Sequence, residues 1–279
     1  MKLKPGCYEC LGRLVLGTAE LASDDASLTQ QAIEQAMRVL ADEFSYTQLS
    51  ITIATRIHDV IRNVTHNPDP YRLMKENEMA LARDLYPQSR SRYGDDFPGY
   101  LKLAAAANAI DFFRAPSSIR KDMRQPVSFV ADDSAQFEAK LRGAAKVLYL
   151  TDNAGELYFD LPLVRWMEQF ARVVYAVKPS PVQNDLTVED VRRSGLEGEF
   201  GQVLSTGIAS PGVIFSLAST RFTQEFESAD LVFAKGMGNY EALSELPAEG
   251  KVFYCLKAKC QPVADSLAVP LHAYVAMMR

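Results

Sequence analysis

The chain has 279 residues, 48% of them apolar, and 30 Lys and Arg stand against 35 Asp and Glu for a formal net charge of -5. That size suits one large domain or a compact pair with a sizeable core. The acidic balance, without any Lys/Arg run, excludes general attraction to nucleic acid or an anionic membrane, and no stretch nears the roughly 20 continuous apolar residues of a membrane helix.

The N-terminal apolar segment Leu11 to Leu21 is interrupted by Arg13 and runs into acidic residues, so a soluble, cytoplasmic protein without a signal peptide is expected. Four cysteines, Cys7, Cys10, Cys255 and Cys260, are too few for a disulfide scaffold. Cys7 and Cys10 form a Cys-x-x-Cys pair, but no second pair or His pair follows to complete a four-ligand zinc site. From about Ser27 to Phe113 the pattern is helical, with Ser27 and Gln30 as a capping box ahead of Ile33, Met37 and Leu40. His66 to Pro70 reads as a turn, because its prolines fix φ and its Asn and Asp close local hydrogen bonds. A helix is expected from near Tyr71 and another from Leu101 to Phe113, whereas Ala115 to Asp133 lacks periodicity and reads as a connection. His58, in a helical stretch beside Asp59, reads as a packed or surface side chain rather than a ligand.

Beyond this connection, β-prone runs alternate with amphipathic segments, as in βαβ units of a mostly parallel sheet. Strands are expected at Lys146 to Leu150, Val173 to Val177, Gln202 to Leu204, Leu231 to Ala234 and Val252 to Leu256. The expected architecture is α/β: a helical N-terminal subdomain over residues 1–125, then a Rossmann-like α/β/α subdomain over 126–279.

Ligands of open parallel sheets bind beyond the carboxyl ends of the strands. Four of the expected strands deliver polar, glycine-bearing loops there: Thr151 to Glu156, Lys178 to Asp185, Ser205 to Ile208 and Lys235 to Glu241. Asp152, Asn153 and Asp185 supply hard oxygen donors suited to Mg, Mn or a similar divalent ion. Gly236 and Gly238 let backbone N–H groups approach an anion, and Lys235 adds a charge beside them. Taken singly these loops are ordinary turns and helix caps, and Asn184 with Asp185 could simply cap a helix starting near Thr187. Their convergence is the stronger signal.

In combination, the Cys7/Cys10 pair, Asp69-Pro70-Tyr71 with Lys75, Ala107-Asn108 with Ile110-Asp111, Asp152-Asn153-Ala154-Gly155-Glu156, Lys178 with Asn184-Asp185, Lys235-Gly236-Met237-Gly238-Asn239-Tyr240-Glu241 and Lys257-Ala258-Lys259-Cys260 resemble the damage-control phosphatases, formerly family 89 of the domains of unknown function. The Cys-x-x-Cys start resembles the microbial branch. The resemblance implies a Mn-, Ni-, Co- or Mg-dependent phosphatase of small phosphorylated metabolites, with Asp152, Asn153 and Asp185 as metal ligands. It also implies substrate contacts from Lys235 and Asn239, with Gly236, Lys178 and Asn184 beside them, and from Asn108 and Asp111 in the helical half. Asp152, Asp185, Glu156 and Lys235 are the expected catalytic set: Lys235 offsets charge on the phosphoryl group, and Glu156 or Asp185 orients the attacking water. Alternatives are an S-adenosylmethionine-dependent carboxyl methyltransferase using the same sheet edge, or a non-catalytic metabolite-binding protein.

Overall fold

Apolar residues at helical spacing fold the first third of the chain into α1 (Cys7–Ala22), α2 (Ala26–Glu43) and α3 (Ser50–Thr65), which bury Val15, Ala36, Leu40, Ile57 and Ile61 among themselves. The computed structural model describes residues 1–110, 116–247 and 249–279. The cap of α2 is Asp25, whose carboxylate accepts from Ser27 N and Leu28 N at 2.8 and 3.1 Å, so the expected Ser27/Gln30 capping box is not formed. The turn after α3 does form from its own side chains: Asn67 Oδ1 accepts from Asp69 N at 3.0 Å.

Next come α4 (Arg72–Arg90) and α5 (Phe97–Ala107), the latter opened by Asp96, whose carboxylate accepts from Gly99 N. The segment expected to be a bare connection contains α6 (Pro116–Asp122) and a strand, β1 (Phe129–Asp132). This strand lies at the sheet edge and its burial alternates, with Val130 exposed, so no continuous apolar run marks it. The chain continues through α7 (Ser134–Leu141), β2 (Lys146–Leu150), α8 (Leu157–Met167), β3 (Arg172–Val177), α9 (Val188–Ser194), β4 (Val203–Ser205) and α10 (Thr220–Ser228). It ends with β5 (Leu231–Lys235), α11 (Gly236–Leu243), β6 (Val252–Lys257), α12 (Gln261–Leu267) and β7 (Tyr274–Met278).

Among the described residues the strands form one seven-stranded sheet in the order β1-β7-β6-β5-β2-β3-β4. All neighbours are parallel except β6 and β7. Two apolar layers cover the sheet. On one face Tyr149, Tyr175, Phe233 and Phe253 pack with α4, α5, α7 and α8; on the other Leu148, Val174, Val232 and Tyr254 pack with α10, α11 and α12. Central strands covered on both faces read as unbroken apolar runs, which is why β2, β3 and β5 were legible.

The topology fixes where a site can form. From β2 the chain winds outward through β3 to β4, then returns across β2 to β5 on its other side. The loops leaving β2 and β5 therefore lead to helices on opposite faces of the sheet, and it is at such a reversal that open α/β sheets bind their ligands. Phe137 anchors the layer beneath, with ring centroids 4.6 Å from Phe253, 5.6 Å from Phe233 and 5.7 Å from Phe97. Phe137→Ala is expected to cost about 3–5 kcal/mol in denaturant unfolding; a loss below 1 kcal/mol would show that this layer is loosely packed.

Candidate functional site

The residues after β2 do not run on as a free loop. Asp152 O accepts from Leu186 N at 2.8 Å and Asn184 O from Ala154 N at 2.8 Å, so Asn153 and Asp185 face each other as an antiparallel bridge. The segment after β3 closes on itself to reach this position: Lys178 N donates to Leu186 O, and Val188 N to Lys178 O. Directly opposed residues carry Cβ atoms about 4.5–5.5 Å apart. Thus the backbone itself brings Asp185 to Asn153, with Asp152 next in sequence. The cap of α9 is Thr187 with Asp190, leaving Asn184 and Asp185 out of any capping role.

From the other side of β2 comes α11. Gly236 has φ +76°, and a Cβ there would overlap the Asp152 carboxylate, so backbone conformation and close approach both require glycine. Gly238 and Gly212 meet backbone to backbone, seating the loop after β4 against the first turn of α11. Asn239 spends both amide protons on Thr151 O and Lys235 O, at 2.9 and 2.8 Å, tying α11 to the end of β2.

Beneath Asp152 lies a buried polar cluster. Glu156 Oε1 accepts from the Nδ2 atoms of both Asn108 and Asn153 at 2.8 Å, and Asn108 Nδ2 also reaches Asp152 Oδ2 at 2.8 Å. Asn108 Oδ1 accepts from Lys257 N, which fixes that amide's orientation. The Lys235 ammonium is fully buried, 2.6 Å from Glu156 Oε2, 2.7 Å from Asp160 Oδ1 and 2.8 Å from Ala104 O. Asp160 Oδ2 in turn accepts from the Tyr175 hydroxyl at 3.0 Å. Lys178 is also buried and stands 3.6 Å from Asp185 Oδ2, which has no hydrogen-bond donor of its own.

These positions change the expected roles of Lys235 and Glu156, and those of Asn108, Asn184 and Asn239 as substrate contacts, since their amide protons are spent inside the protein. Lys235 was expected to meet a phosphoryl group, yet its ammonium is fully buried, donates to Asp160 Oδ1 and Ala104 O, and pairs with the Glu156 carboxylate. Glu156 was expected to orient water, but it is fully enclosed by two amides and an ammonium. Asn184 donates to both oxygens of Glu78 and so holds its loop against α4. Asp111 lies outside the described residues.

Sequence reasoning passed over Asp160 and Glu78. The available signal for Asp160 was a carboxylate four residues after Glu156 in the otherwise apolar stretch Leu157 to Val164, since a charge on a helix's buried face needs a partner. Lys259, half-buried after β6, also lies within electrostatic reach of Asp152. Away from this site, Cys7, Cys10 and Cys260 come within reach of one another's charge; all four cysteines are unbridged, and burial raises each thiol of these three. His58 is buried, its pKa lowered to about 3 by burial and then by Arg62.

Electrostatically the site is short of positive charge. Burial, then Glu156, pushes Asp152 up to about 7 even though it keeps some exposed surface. Burial raises Asp185 well above the carboxylate range despite Lys178, and it lowers Lys178. For Lys235, burial pulls downward, but Asp160 and Glu156 outweigh it and hold the ammonium above its ordinary value. The donor chemistry fits a hard divalent ion: two carboxylates, one with an oxygen lacking any donor, and a carboxamide. Among the described residues no three His, Cys, Asp or Glu side chains gather as a group that could hold a metal ion; the two carboxylates Asp152 and Asp185 have the Asn153 carboxamide between them in the fold.

An α/β protein with an acidic oxygen-donor crevice at the switch point of its sheet is thereby defined. The match to known proteins agrees in extent: the damage-control phosphatase ARMT1-like domain covers residues 3–275. The chain belongs to that family. It is 34% identical to a damage-control phosphatase of Pyrococcus horikoshii over 99% of this chain and 98% of that protein. It is 32% identical to an uncharacterised protein of Methanocaldococcus jannaschii, over 100% and 96%, and 29% identical to a damage-control phosphatase of Archaeoglobus fulgidus, over 99% of each. The crystal structure of a DUF89 family protein from P. horikoshii superposes with a TM-score of 0.90 at 34% identity, covering 100% of this chain and 99% of that one. Among the described residues no helix is long and apolar enough to cross a membrane.

Between pH 3.8 and about 7 the folded chain holds a proton on Asp152 that the unfolded chain has lost. Metal-free stability therefore falls as pH rises through that window. Asp152→Asn, which removes the charge and keeps the shape, should melt on the order of 5 °C above the parent chain at pH 8 in chelator and match it near pH 4. A variant that melts lower at pH 8 would contradict this.

Proposed function

We propose that the chain is a divalent-metal-dependent phosphatase that hydrolyses phosphate monoesters of small metabolites, including reactive or damaged ones. The supporting observation is a charge imbalance. Around the ends of β2, β3 and β5, four carboxylates (Asp152, Glu156, Asp160 and Asp185) face two buried ammonium groups, Lys178 and Lys235. Unbalanced buried charge is costly, so such a site takes up protons or a cation. Asp152, Asn153 through Oδ1, and Asp185 through the oxygen without a donor are the ligands in this reading. A bound divalent ion would supply Lewis-acid polarisation of the phosphoryl group and a more acidic water.

The remaining work belongs to the chain's own groups. With Glu156 enclosed, Asp185 is the carboxylate left to orient the attacking water. Lys178, beside it, offsets charge that builds on the phosphoryl oxygens. The first turn of α11 has no side-chain cap, and its N–H groups suit a phosphate anion. Lys259 extends this positive rim from the loop after β6. Relatives named damage-control phosphatases support the reaction class for this chain. Among manganese, nickel, cobalt and magnesium, the oxygen donors favour the harder ions.

A panel of sugar, nucleotide and coenzyme-precursor phosphates, assayed with each metal and with chelator, tests this reading. Metal-dependent phosphate release is expected, and Asp152→Ala should lower it by more than the about 10–100-fold that losing an outer partner costs, with its fold retained. Undiminished turnover by that variant at saturating metal would overturn the proposal.

A further inference from the structure

We infer that Asp160, acting through Lys235 and Glu156, is a positioning residue that fixes which face the Asn153 amide presents to a cation. The inference rests on the reading that Asn153 is a metal ligand. A carboxamide ligates a hard cation through oxygen and repels it through NH2, and the two ends have nearly the same shape. Something must therefore hold the amide the right way round. Asn153 Nδ2 is held by Glu156 Oε1 at 2.8 Å and by Asp152 Oδ2 at 3.2 Å, which leaves Oδ1 as its ligating end.

Glu156 can hold the amide this way only as an acceptor. Its Oε1 serves Asn153 and Asn108 together, and its Oε2 meets the Lys235 ammonium at 2.6 Å. The Lys235 ammonium is itself held in place, because Asp160 Oδ1 and Ala104 O accept two of its protons at 2.7 and 2.8 Å, and it meets Glu156 as an ion pair. Asp160 is itself held by the Tyr175 hydroxyl, and every member from Tyr175 to Glu156 is fully buried. The path Tyr175, Asp160, Lys235, Glu156, Asn153 thus crosses from the layer of α8 to the ligand loop in direct polar contacts. Asn108 shares Glu156 Oε1 and also bonds Asp152, so the same brace orients the carboxylate next to Asn153. This explains why the Lys of a glycine-flanked Lys-Gly-Met-Gly segment is turned into the protein rather than toward a phosphate.

The test measures Mn2+ affinity directly, by calorimetry on the full chain, beside kcat and KM for a phosphate monoester at saturating Mn2+. Asp160→Asn should weaken Mn2+ binding by about 10–100-fold, while KM for the ester and kcat at saturating metal stay within about threefold. Unchanged Mn2+ affinity in a folded Asp160→Asn overturns the inference. If that variant does not fold, Glu156→Gln decides by the same readouts. Weaker Mn2+ binding with an unchanged ester KM supports the brace, whereas unchanged Mn2+ binding with a collapsed kcat makes Glu156 a group that acts on the reaction and overturns it. If the parent chain itself fails to bind Mn2+, the metal reading falls first. Tight binding by parent and variant alike removes only the brace.

Discussion

Negative charge confined beyond the carboxyl ends of β2, β3 and β5 is the constraint on which the site depends. Carboxylates are rarely buried without partners, because the protein interior solvates them poorly. Here lysines answer part of that charge: Lys235 pairs with Glu156 and Asp160 at 2.6 and 2.7 Å, Lys178 stands 3.6 Å from Asp185, and Lys259 and Lys75 act on Asp152 and Asp185 from farther off. The unanswered share rests on Asp152 and Asp185, and it appears as a raised pKa in both. A cation placed between them would remove the need for those protons, so metal affinity and pH are linked through the same two groups.

The fold produces this arrangement with ordinary devices. Reversal of winding direction at β2 sends the loops after β2 and β5 to opposite faces of the sheet. Two backbone hydrogen bonds between the loops after β2 and β3 set Asn153 against Asp185, and a left-handed Gly236 lets α11 start against Asp152. Contributions from the helical half complete it: Asn108 at the end of α5 bonds Asp152 and Glu156, and Glu78 of α4 holds Asn184. The helices that precede the sheet in sequence are therefore part of the site's wall. Family membership and the close superposition on the P. horikoshii structure accord with a site built from both halves of the chain.

Much of this was legible in the sequence because central strands write themselves as apolar runs. β2, β3 and β5 are covered on both faces, and the polar loops after them stood out by contrast. The edge strand β1 was missed because its residues alternate between half-buried and exposed, and β7 because Ala276, Met277 and Met278 are residues that favour helices in isolation. That Asp152, Asn153 and Asp185 come together needed only local order along two loops. The role of Lys235 did not follow from local order: Lys-Gly-Met-Gly reads as a phosphate loop, and only the fold brings Asp160, seventy-five residues away, against its ammonium. Glu156 was misjudged for the same reason, since its enclosure depends on Asn108 from α5.

Anomalous diffraction from a crystal of this chain soaked in Mn2+ bears most directly on the central claim. The account requires a peak in the crevice with oxygens of Asp152, Asn153 and Asp185 about 2.1 Å away. A peak elsewhere with this crevice empty, or one whose ligands omit Asp185, would contradict it.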